Sequence, residues 1–267
     1  MPELPEVETI VRKLRPELSG HRIISAQVLW PKTLATLSVD EFSEQISGQQ
    51  ILGVTRRAKY IHIQLSVHNL FVHLRMSGDL AMQGVDYRAE KHDRVILGLE
   101  DGRQLVFNDT RKFGRVWLTA DAQDVIGGLG PEPFDPAFTP EVLQARLLER
   151  HRQMKPLLLD QSFLAGLGNI YTDEALHMSG VHPLRVSDTM ILEETERLHA
   201  AIRSVLLSGI EHNGASFDWV YRGGNFQNYF RVYDRKDQPC PTCGTPIQRI
   251  VVGQRGTHFC PNCQIIR

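Results

Sequence analysis

A helical repeat of apolar residues opens the chain. The repeat consists of Val7, Ile10, Val11, Leu14 and Leu18. Intervals of three and four residues place these side chains on one face of an α-helix. Pro5 stands near the start, where a missing N–H costs little. The pattern predicts one amphipathic helix over residues 5–18.

Short apolar runs rich in Ile, Val, Leu and Phe follow this helix. They cover residues 22–28, 50–56, 60–65, 70–74, 95–99, 104–107 and 116–119. Turn signals such as Asp101-Gly102 separate several of them. Regular spacing of short strands is typical of an antiparallel sandwich or barrel, so the first half is predicted to be mainly β.

The glycine- and proline-rich stretch at 127–133 interrupts any regular element and predicts a linker. Beyond it the apolar period changes to that of helices over 139–150, 168–178 and 187–211, the last with Ser187 or Asp188 as its cap. A cysteine-bearing tail ends the chain. We therefore expect three domains, over residues 1–131, 132–230 and 231–267.

Composition narrows the class of protein. The 267 residues are 42% hydrophobic and 23% charged, which is typical of a globular chain. No window has the ~18 consecutive apolar residues of a membrane span, and no signal-peptide pattern precedes the first helix. We expect a soluble, cytoplasmic protein with no membrane partner, and a monomer by default.

Charge is unevenly distributed although the net charge is only -1. Residues 231–267 contain six basic and two acidic side chains, whereas Glu3, Glu6 and Glu8 crowd the start. A basic tail favours contact with a polyanion such as nucleic acid. Any one of these charges can equally be a solvated surface group.

Four cysteines in the tail form two pairs. The pairs are Cys240 with Cys243 and Cys260 with Cys263, each enclosing two residues and separated by a sixteen-residue spacer. This spacing is typical of a four-thiolate zinc site. Four soft ligands leave no open position for water, so one structural Zn²⁺ is predicted. Two disulfides are the alternative, but they are uncommon in a reducing compartment.

The second residue offers a different chemistry. If Met1 is removed, Pro2 has a free secondary amine, which is a good nucleophile toward the anomeric carbon of a sugar and yields an electron-withdrawing iminium ion. Glu3 supplies a carboxyl group for proton transfer. A Pro-Glu pair near a helix start is, however, most often a cap. These residues alone leave both interpretations open.

Several further motifs occur together with this start. They are Pro2 to Thr9, Arg56-Arg57-Ala58-Lys59-Tyr60, His73-Leu74-Arg75-Met76-Ser77-Gly78, Lys91-His92-Asp93, Asp109-Thr110-Arg111-Lys112-Phe113-Gly114, Gly166-Leu167-Gly168-Asn169-Ile170-Tyr171, and the four-cysteine tail with Gln254-Arg255. In this combination and order, from Met1 to Cys263, the sequence resembles the formamidopyrimidine-DNA glycosylase (MutM) family.

The resemblance implies an α+β fold: an N-terminal helix with a β-sandwich, a helix-two-turn-helix domain, and a C-terminal zinc-finger β-hairpin. It also implies a bifunctional DNA glycosylase and abasic-site lyase of base excision repair. Such an enzyme removes 8-oxoguanine and formamidopyrimidines from double-stranded DNA through a Pro2 Schiff base. It then cleaves the strand by β,δ-elimination.

Roles for individual residues follow from the same resemblance. The implied catalytic residues are Pro2, Glu3, Lys59 and Arg255. The implied DNA-binding residues are Met76, His92, Arg111, Phe113, Arg150, Lys155 and Asn169. Met76, Arg111 and Phe113 would fill the space left when the damaged nucleotide rotates out of the stack. Arg150 can alternatively cap the end of a helix.

Two departures from the family pattern bear on specificity. The usual Asp-Pro-Arg-Arg-Phe-Gly reads Asp109-Thr110-Arg111-Lys112-Phe113-Gly114 here. The loop within 216–233, which in relatives closes over 8-oxoguanine, is shortened, and we hypothesise that this shortening widens the range of lesions accepted.

An endonuclease VIII-like enzyme is a rival interpretation, although Leu4 stands where those relatives have glycine. A non-catalytic nucleic-acid-binding protein is the rival from another class.

Overall fold

The computed structural model describes residues 1–216 and 223–266, which divide into two compact units. Among the described residues, the first unit comprises 1–128 together with 216 and 223, and the second comprises 129–215 and 224–266. The boundary after Gly128 lies in the predicted linker at 127–133. The three-domain division, with boundaries at 131 and 230, stays a prediction.

The first unit contains the N-terminal helix and eight strands. Its elements are α1 (Leu4–Leu18), β1 (Ile23–Val28), α2 (Val39–Ile46), β2 (Ile51–Arg57), β3 (Tyr60–Leu65), β4 (Asn69–His73), β5 (Gly78–Gln83), β6 (Asp93–Leu99), β7 (Gln104–Asp109), β8 (Arg115–Thr119) and α3 (Gln123–Ile126). The strands form two antiparallel four-stranded sheets, ordered β1-β6-β7-β5 and β2-β3-β4-β8. The predicted sandwich is confirmed.

One hydrophobic core fills the space between the two sheets. It includes Ile61 and Val72 from one sheet, Leu97 and Phe107 from the other, and Phe42 from α2. The apolar face of α1 joins this core, since Val7, Ile10, Val11, Leu14 and Leu18 are all buried. Burying apolar side chains of this size stabilises the fold by about 1.5–3 kcal/mol each.

Helix α1 begins at a cap that the sequence suggested. Glu3 is the N-cap residue with an extended backbone, and its N–H donates to Glu6 Oε2 at 2.7 Å. Pro5 lies in the first turn, where its missing N–H would have no intrahelical partner. The helix predicted over 5–18 is thus confirmed at Leu4–Leu18.

The second unit contains four helices and one hairpin. Its elements are α4 (Pro140–Leu148), α5 (Met154–Leu159), α6 (Asn169–Ser179), α7 (Leu192–Glu211), β9 (Gln248–Val252) and β10 (Arg255–Phe259). Helix α7 packs against α4 and α6. The helices predicted over 139–150 and 168–178 are therefore confirmed to within two residues.

The predicted cap of the last helix is wrong. Residues Ser187–Thr189 form a short 3-10 turn, and α7 begins at Leu192 with Ile191 as its N-cap. Glu194 accounts for this start, because its carboxylate accepts the Ile191 N–H at 3.3 Å. The Ser187 hydroxyl instead donates to the Arg150 carbonyl.

The C-terminal hairpin turns within two residues. Gly253 and Gln254 have φ of 54° and 62°, and Arg255 pairs with Val252 across the turn. Positive φ at both central positions is the geometry that matches the right-handed twist of flanking strands. Arg255 therefore begins β10 directly after the turn, and its side chain is exposed.

Within residues 1–216 and 223–266, the structure has no helix that is long and apolar enough to cross a membrane. Part of the predicted lesion loop, residues 217–222, lies outside the described residues.

Candidate active site and metal centre

The first candidate residues lie at the N-terminus of α1. Pro2 and Glu3 are both buried, with Glu3 2% exposed. Glu3 holds its place through the bond between its N–H and Glu6. In the full chain the Pro2 nitrogen belongs to the peptide bond with Met1, so its nucleophilic use requires the removal of Met1.

Lys59 occupies the two-residue turn between β2 and β3. Ala58 has a left-handed backbone at φ 53°, and Lys59 is 5% exposed. The turn is fastened to α1, because Arg56 Nε lies 3.2 Å from Glu8 Oε2 while Arg56 Nη1 donates to the Ala58 carbonyl at 3.0 Å. The sequence motif around Lys59 is thus anchored to the helix that follows Pro2.

His73 is a buried neighbour of this turn that the sequence did not single out for a role of its own. Its ring packs edge-on against Tyr60 with centroids 4.8 Å apart, and its Nδ1 accepts the Arg75 N–H at 3.0 Å. Burial, together with the positive charges of Arg75 and Lys59, lowers the pKa of His73 to about 3. The imidazole is therefore neutral at pH 7.

Met76, Arg111 and Phe113 lie on two loops that are joined by hydrogen bonds to one carboxylate. Met76 is 41% exposed on the loop between β4 and β5, and Phe113 is 49% exposed on the loop between β7 and β8. The Arg111 guanidinium lies 5.3 Å from the centre of the Phe113 ring. Exposed large apolar side chains of this kind are typical of a surface that contacts a partner.

Asp109 holds these two loops in place. Its carboxylate accepts the Ser77 hydroxyl from one loop and the backbone N–H groups of Arg111 and Gly114, at 3.1 and 2.7 Å, from the other. The loop that carries Phe113 also packs closely on β7. A Cβ on Gly114 would lie 2.4 Å from the Phe107 ring. Asp109 and Gly114 are therefore structural supports for the exposed side chains.

His92 belongs to the same loop cluster. Its carbonyl accepts the Asp109 N–H at 2.9 Å. Buried Arg94 donates to the Asp109 carbonyl at 2.8 Å. The structure thus brings His92 together with the loops that carry Met76, Arg111 and Phe113.

In the second unit, Lys155 and Asn169 converge on the strand that carries Arg255. Lys155 Nζ donates to the Gly256 carbonyl at 3.0 Å, and Asn169 Nδ2 donates to the same carbonyl at 3.2 Å. Lys155 is fully buried and forms an ion pair with Asp173 at 2.6 Å. These contacts fix the backbone directly after Arg255, whose side chain stays exposed.

Asn169 also has an acceptor to offer. Its Oδ1 is buried and has no hydrogen-bond partner among the described residues.

The recorded side-chain contact of Arg150 is with none of these residues. Arg150 is exposed just after α4, where Nη1 donates to the Glu149 carbonyl at 3.3 Å. This is the position expected for a residue at the end of a helix.

The four cysteines meet at one point beside the hairpin. Their sulfur atoms all lie within 4.8 Å of one another, with separations of 3.4 Å for Cys243 to Cys260, 3.5 Å for Cys243 to Cys263 and 3.9 Å for Cys240 to Cys263. These values bracket the ~3.8 Å edge of a tetrahedron with Zn–S bonds of ~2.3 Å. A disulfide needs ~2.05 Å, so these separations favour the metal over cystines.

The chemistry of the sulfur atoms also suits zinc. Hydrogen bonds from Thr245 and Asn262 lower the pKa of Cys243 to about 6, which favours the thiolate that a metal binds. Burial raises the pKa of Cys260. All four positions of a tetrahedral ion would be filled by sulfur. The zinc therefore holds the fold and activates no water.

A two-sheet sandwich, a helical unit and a four-cysteine cluster beside a hairpin together define a zinc-finger protein of mixed α and β structure. Three family models match the chain in succession. They describe the formamidopyrimidine-DNA glycosylase N-terminal domain over residues 1–116, the H2TH domain of the same enzymes over 129–219, and a zinc finger found in FPG and IleRS over 237–265.

Full-length relatives agree with these matches. Formamidopyrimidine-DNA glycosylases of Pelotomaculum thermopropionicum and Herpetosiphon aurantiacus are each 45% identical, covering 99–100% of this chain and 100% of theirs. A structure of Lactococcus lactis Fpg with DNA containing an abasic site is 35% identical, with a TM-score of 0.92 over 99% of this chain and 100% of that one. The chain belongs to the formamidopyrimidine-DNA glycosylase family.

The comparisons confirm the predicted fold class and the four-cysteine zinc site. They include a structure of MutM with DNA that contains carbocyclic 8-oxoguanine, 36% identical with a TM-score of 0.91, which covers 99% of this chain and 100% of that chain. The roles of the individual side chains stay predictions.

Proposed function

We propose that this protein is a DNA glycosylase and abasic-site lyase of base excision repair that removes oxidised purines from double-stranded DNA. The observation that carries the proposal is the buried Pro2-Glu3 pair at the start of α1, with the Lys59 turn fastened to that helix through Arg56 and Glu8. Glu3 also caps α1, but DNA binding alone requires no free N-terminal proline beside it. We expect it to act in the cytoplasm as a monomer.

The first chemical step breaks the bond between base and sugar. After Met1 is removed, the Pro2 nitrogen attacks the anomeric carbon of the flipped nucleotide, the damaged base leaves with the bonding electron pair, and the proton lost by the Pro2 amine goes to the departing base. Glu3 protonates the sugar ring oxygen, so the ring opens. The product is an iminium ion between Pro2 and the sugar.

The iminium ion then makes strand cleavage possible. It acidifies the neighbouring sugar proton, and loss of that proton expels the 3′ phosphate. A second elimination expels the 5′ phosphate, and we assign Arg255 to assist it. We assign Lys59 to stabilise phosphate charge during these steps. Zinc supplies no chemistry and holds the hairpin that carries Arg255.

We base the proposed roles in DNA recognition on the exposure and contacts of the side chains. Unstacking one nucleotide costs a few kcal/mol, and insertion of Met76 and Phe113 would offset that cost. Arg111, held beside Phe113, has the donors to pair with the orphaned base. His92, Asn169 and Arg150 are assigned to phosphates. We assign Lys155 to fix the backbone beside Arg255, because its ammonium group is fully buried, pairs with Asp173 and donates to the Gly256 carbonyl.

Strand cleavage of a duplex with one 8-oxoguanine tests the proposal. Protein freed of Met1 should leave a one-nucleotide gap with phosphate at both ends. The Glu3→Gln variant should release the base at least ~10²-fold more slowly, because it lacks the proton donor. Glu193→Gln, an exposed change in α7, serves as the control and should match the wild type.

The same assay distinguishes the rivals. An endonuclease VIII-like enzyme would excise an oxidised pyrimidine faster than 8-oxoguanine. A non-catalytic binding protein would retain both substrates intact while still shifting their mobility in a gel. Either result would overturn the assignment to oxidised purines.

A further inference from the structure

Helix α6 contacts the zinc centre through a histidine. His177 lies in the last turns of the helix, 4% exposed, and its Nε2 is 3.3 Å from Cys240 Sγ. A cysteine that binds zinc is a thiolate and has no proton to give. The imidazole must therefore be the donor in this hydrogen bond.

Cys240 is buried, so its thiolate needs hydrogen-bond donors from the protein. Four thiolates around one Zn²⁺ leave a net charge of about -2, which is costly to bury without hydrogen bonds. Cys243 is exposed and can be solvated by water, but Cys240 is buried. The Thr242 N–H reaches Cys240 Sγ at 3.4 Å, and His177 supplies a second N–H from outside the hairpin.

His177 is the last of three evenly spaced side chains on α6 that contact the hairpin segment. Asn169 donates to the Gly256 carbonyl, Asp173 accepts the His258 N–H at 2.9 Å, and His177 meets Cys240. A spacing of four residues places all three on one face of the helix. The first two contacts lie along β10, and the third lies at the metal site itself.

We propose that His177 is a positioning residue of the zinc centre, whose Nε2–H donates to the Cys240 thiolate and fastens the metal site to α6. Such outer hydrogen bonds orient metal ligands, and their loss typically costs 10- to 100-fold in metal affinity. The motifs of the sequence do not include this residue. Its contribution is separate from the proposed catalysis, because it concerns zinc retention.

The rate of zinc release tests the proposal on the full-length, zinc-loaded protein. His177→Phe keeps a buried aromatic ring but lacks both ring nitrogens, and the only hydrogen bond recorded for that ring in the described residues, from Nε2 to Cys240, is lost. With excess EDTA, we expect its zinc to be lost at least ~10-fold faster than from the wild type. His199→Phe is the matched control, since His199 Nε2 also donates a hydrogen bond, at 2.7 Å, but to the Phe138 carbonyl rather than to the cysteine segment. Its release rate should equal that of the wild type.

Equal release from the wild type and His177→Phe, or equally fast release from both variants, would overturn the proposal. A measurement on the wild type covers the case in which His177→Phe does not fold. In protein loaded with ¹¹³Cd, the Nε2 proton of His177 should show scalar coupling to the metal across the N–H···S bond. A His177 ring protonated only at Nδ1, without that coupling, would contradict the assignment.

Discussion

Replacing Asp173 with asparagine tests what the buried ion pair with Lys155 contributes to the second unit. The two side chains are fully buried, with Lys155 Nζ 2.6 Å from Asp173 Oδ1, and the second carboxylate oxygen accepts the His258 N–H at 2.9 Å. Asparagine keeps the shape of the side chain but removes the negative charge nearest the buried ammonium. Strand β10 loses part of its support at the same time.

The expected cost is large because neither partner can be solvated. Breaking a buried ion pair by removing one partner destabilises a protein by about 3–5 kcal/mol. At about 1.4 kcal/mol per factor of ten, this corresponds to roughly 10²- to 4 × 10³-fold more frequent opening. The pair of Arg197 and Glu193 has a similar N–O distance of 2.7 Å, but its side chains are 48% and 75% exposed. Its loss should cost less than about 1 kcal/mol.

Hydrogen exchange of the full-length, zinc-loaded protein measures both changes. In Asp173→Asn, the amides of β10 should exchange at least ~10²-fold faster than in the wild type, while amides of the first unit keep their rates. Glu193→Gln should exchange like the wild type. If both variants left β10 equally protected, the claim that the Lys155–Asp173 pair holds this strand would be refuted.

Three further expectations concern the first unit and the lesion. The native pKa of His73, about 3, lies below the ordinary value of about 6.5, so its contribution to stability is present above pH 6.5 and is lost by about 1.4 kcal/mol per pH unit as the pH falls toward 3. An NMR titration in which the His73 ring signal moves between pH 8 and 5 would refute this. Phe113→Ala should weaken the binding of lesion DNA by about 1–3 kcal/mol, measured by fluorescence anisotropy. The melting temperature of the protein should not change, because the Phe113 ring is half exposed. Unchanged affinity would show that Phe113 does not contact the DNA. The hypothesis of a shortened lesion loop predicts comparable single-turnover excision rates for 8-oxoguanine and formamidopyrimidine, and a strong 8-oxoguanine bias would contradict it.

The sequence predicts those helices and strands in which the spacing of apolar residues matches the buried face. All five apolar positions of α1 are buried, and the alternation in β3 places Ile61, Ile63 and Leu65 in the core. The missed elements have weak local signals. Strand β5 begins Gly78-Asp79, contains only one buried apolar residue, Leu80, and is held by its pairing with β7.

Helices α2, α3 and α5 were missed, and α3 has only four residues. The other two were missed for different reasons. Helix α5 spans only six residues and contains Pro156, so its apolar run has no helical period to detect. Helix α2 had a detectable start, because Ser38 and Glu41 form a capping box three residues apart. The second omission could have been avoided from the sequence alone.

In the candidate site, short motifs predict which side chains have a functional role. They do not predict the hydrogen-bond and ion-pair partners of those side chains that are distant in sequence. The Met76 and Phe113 loops carry recognisable motifs, but nothing local indicates that Asp109 joins them through Ser77. Lys155 shows the limit most clearly. A lone lysine is ordinarily a solvated surface charge, and only the fold brings it to Asp173, eighteen residues away.

The Pro2 nucleophile is the central claim, and borohydride trapping tests it most directly. Protein freed of Met1 is mixed with a duplex containing one 8-oxoguanine in the presence of sodium borohydride, which reduces an iminium ion to a stable amine. We expect a covalent protein–DNA adduct that mass spectrometry assigns to Pro2, and no adduct from protein that retains Met1. No adduct from active protein without Met1, or an adduct at Lys59 or another amine, would contradict the account.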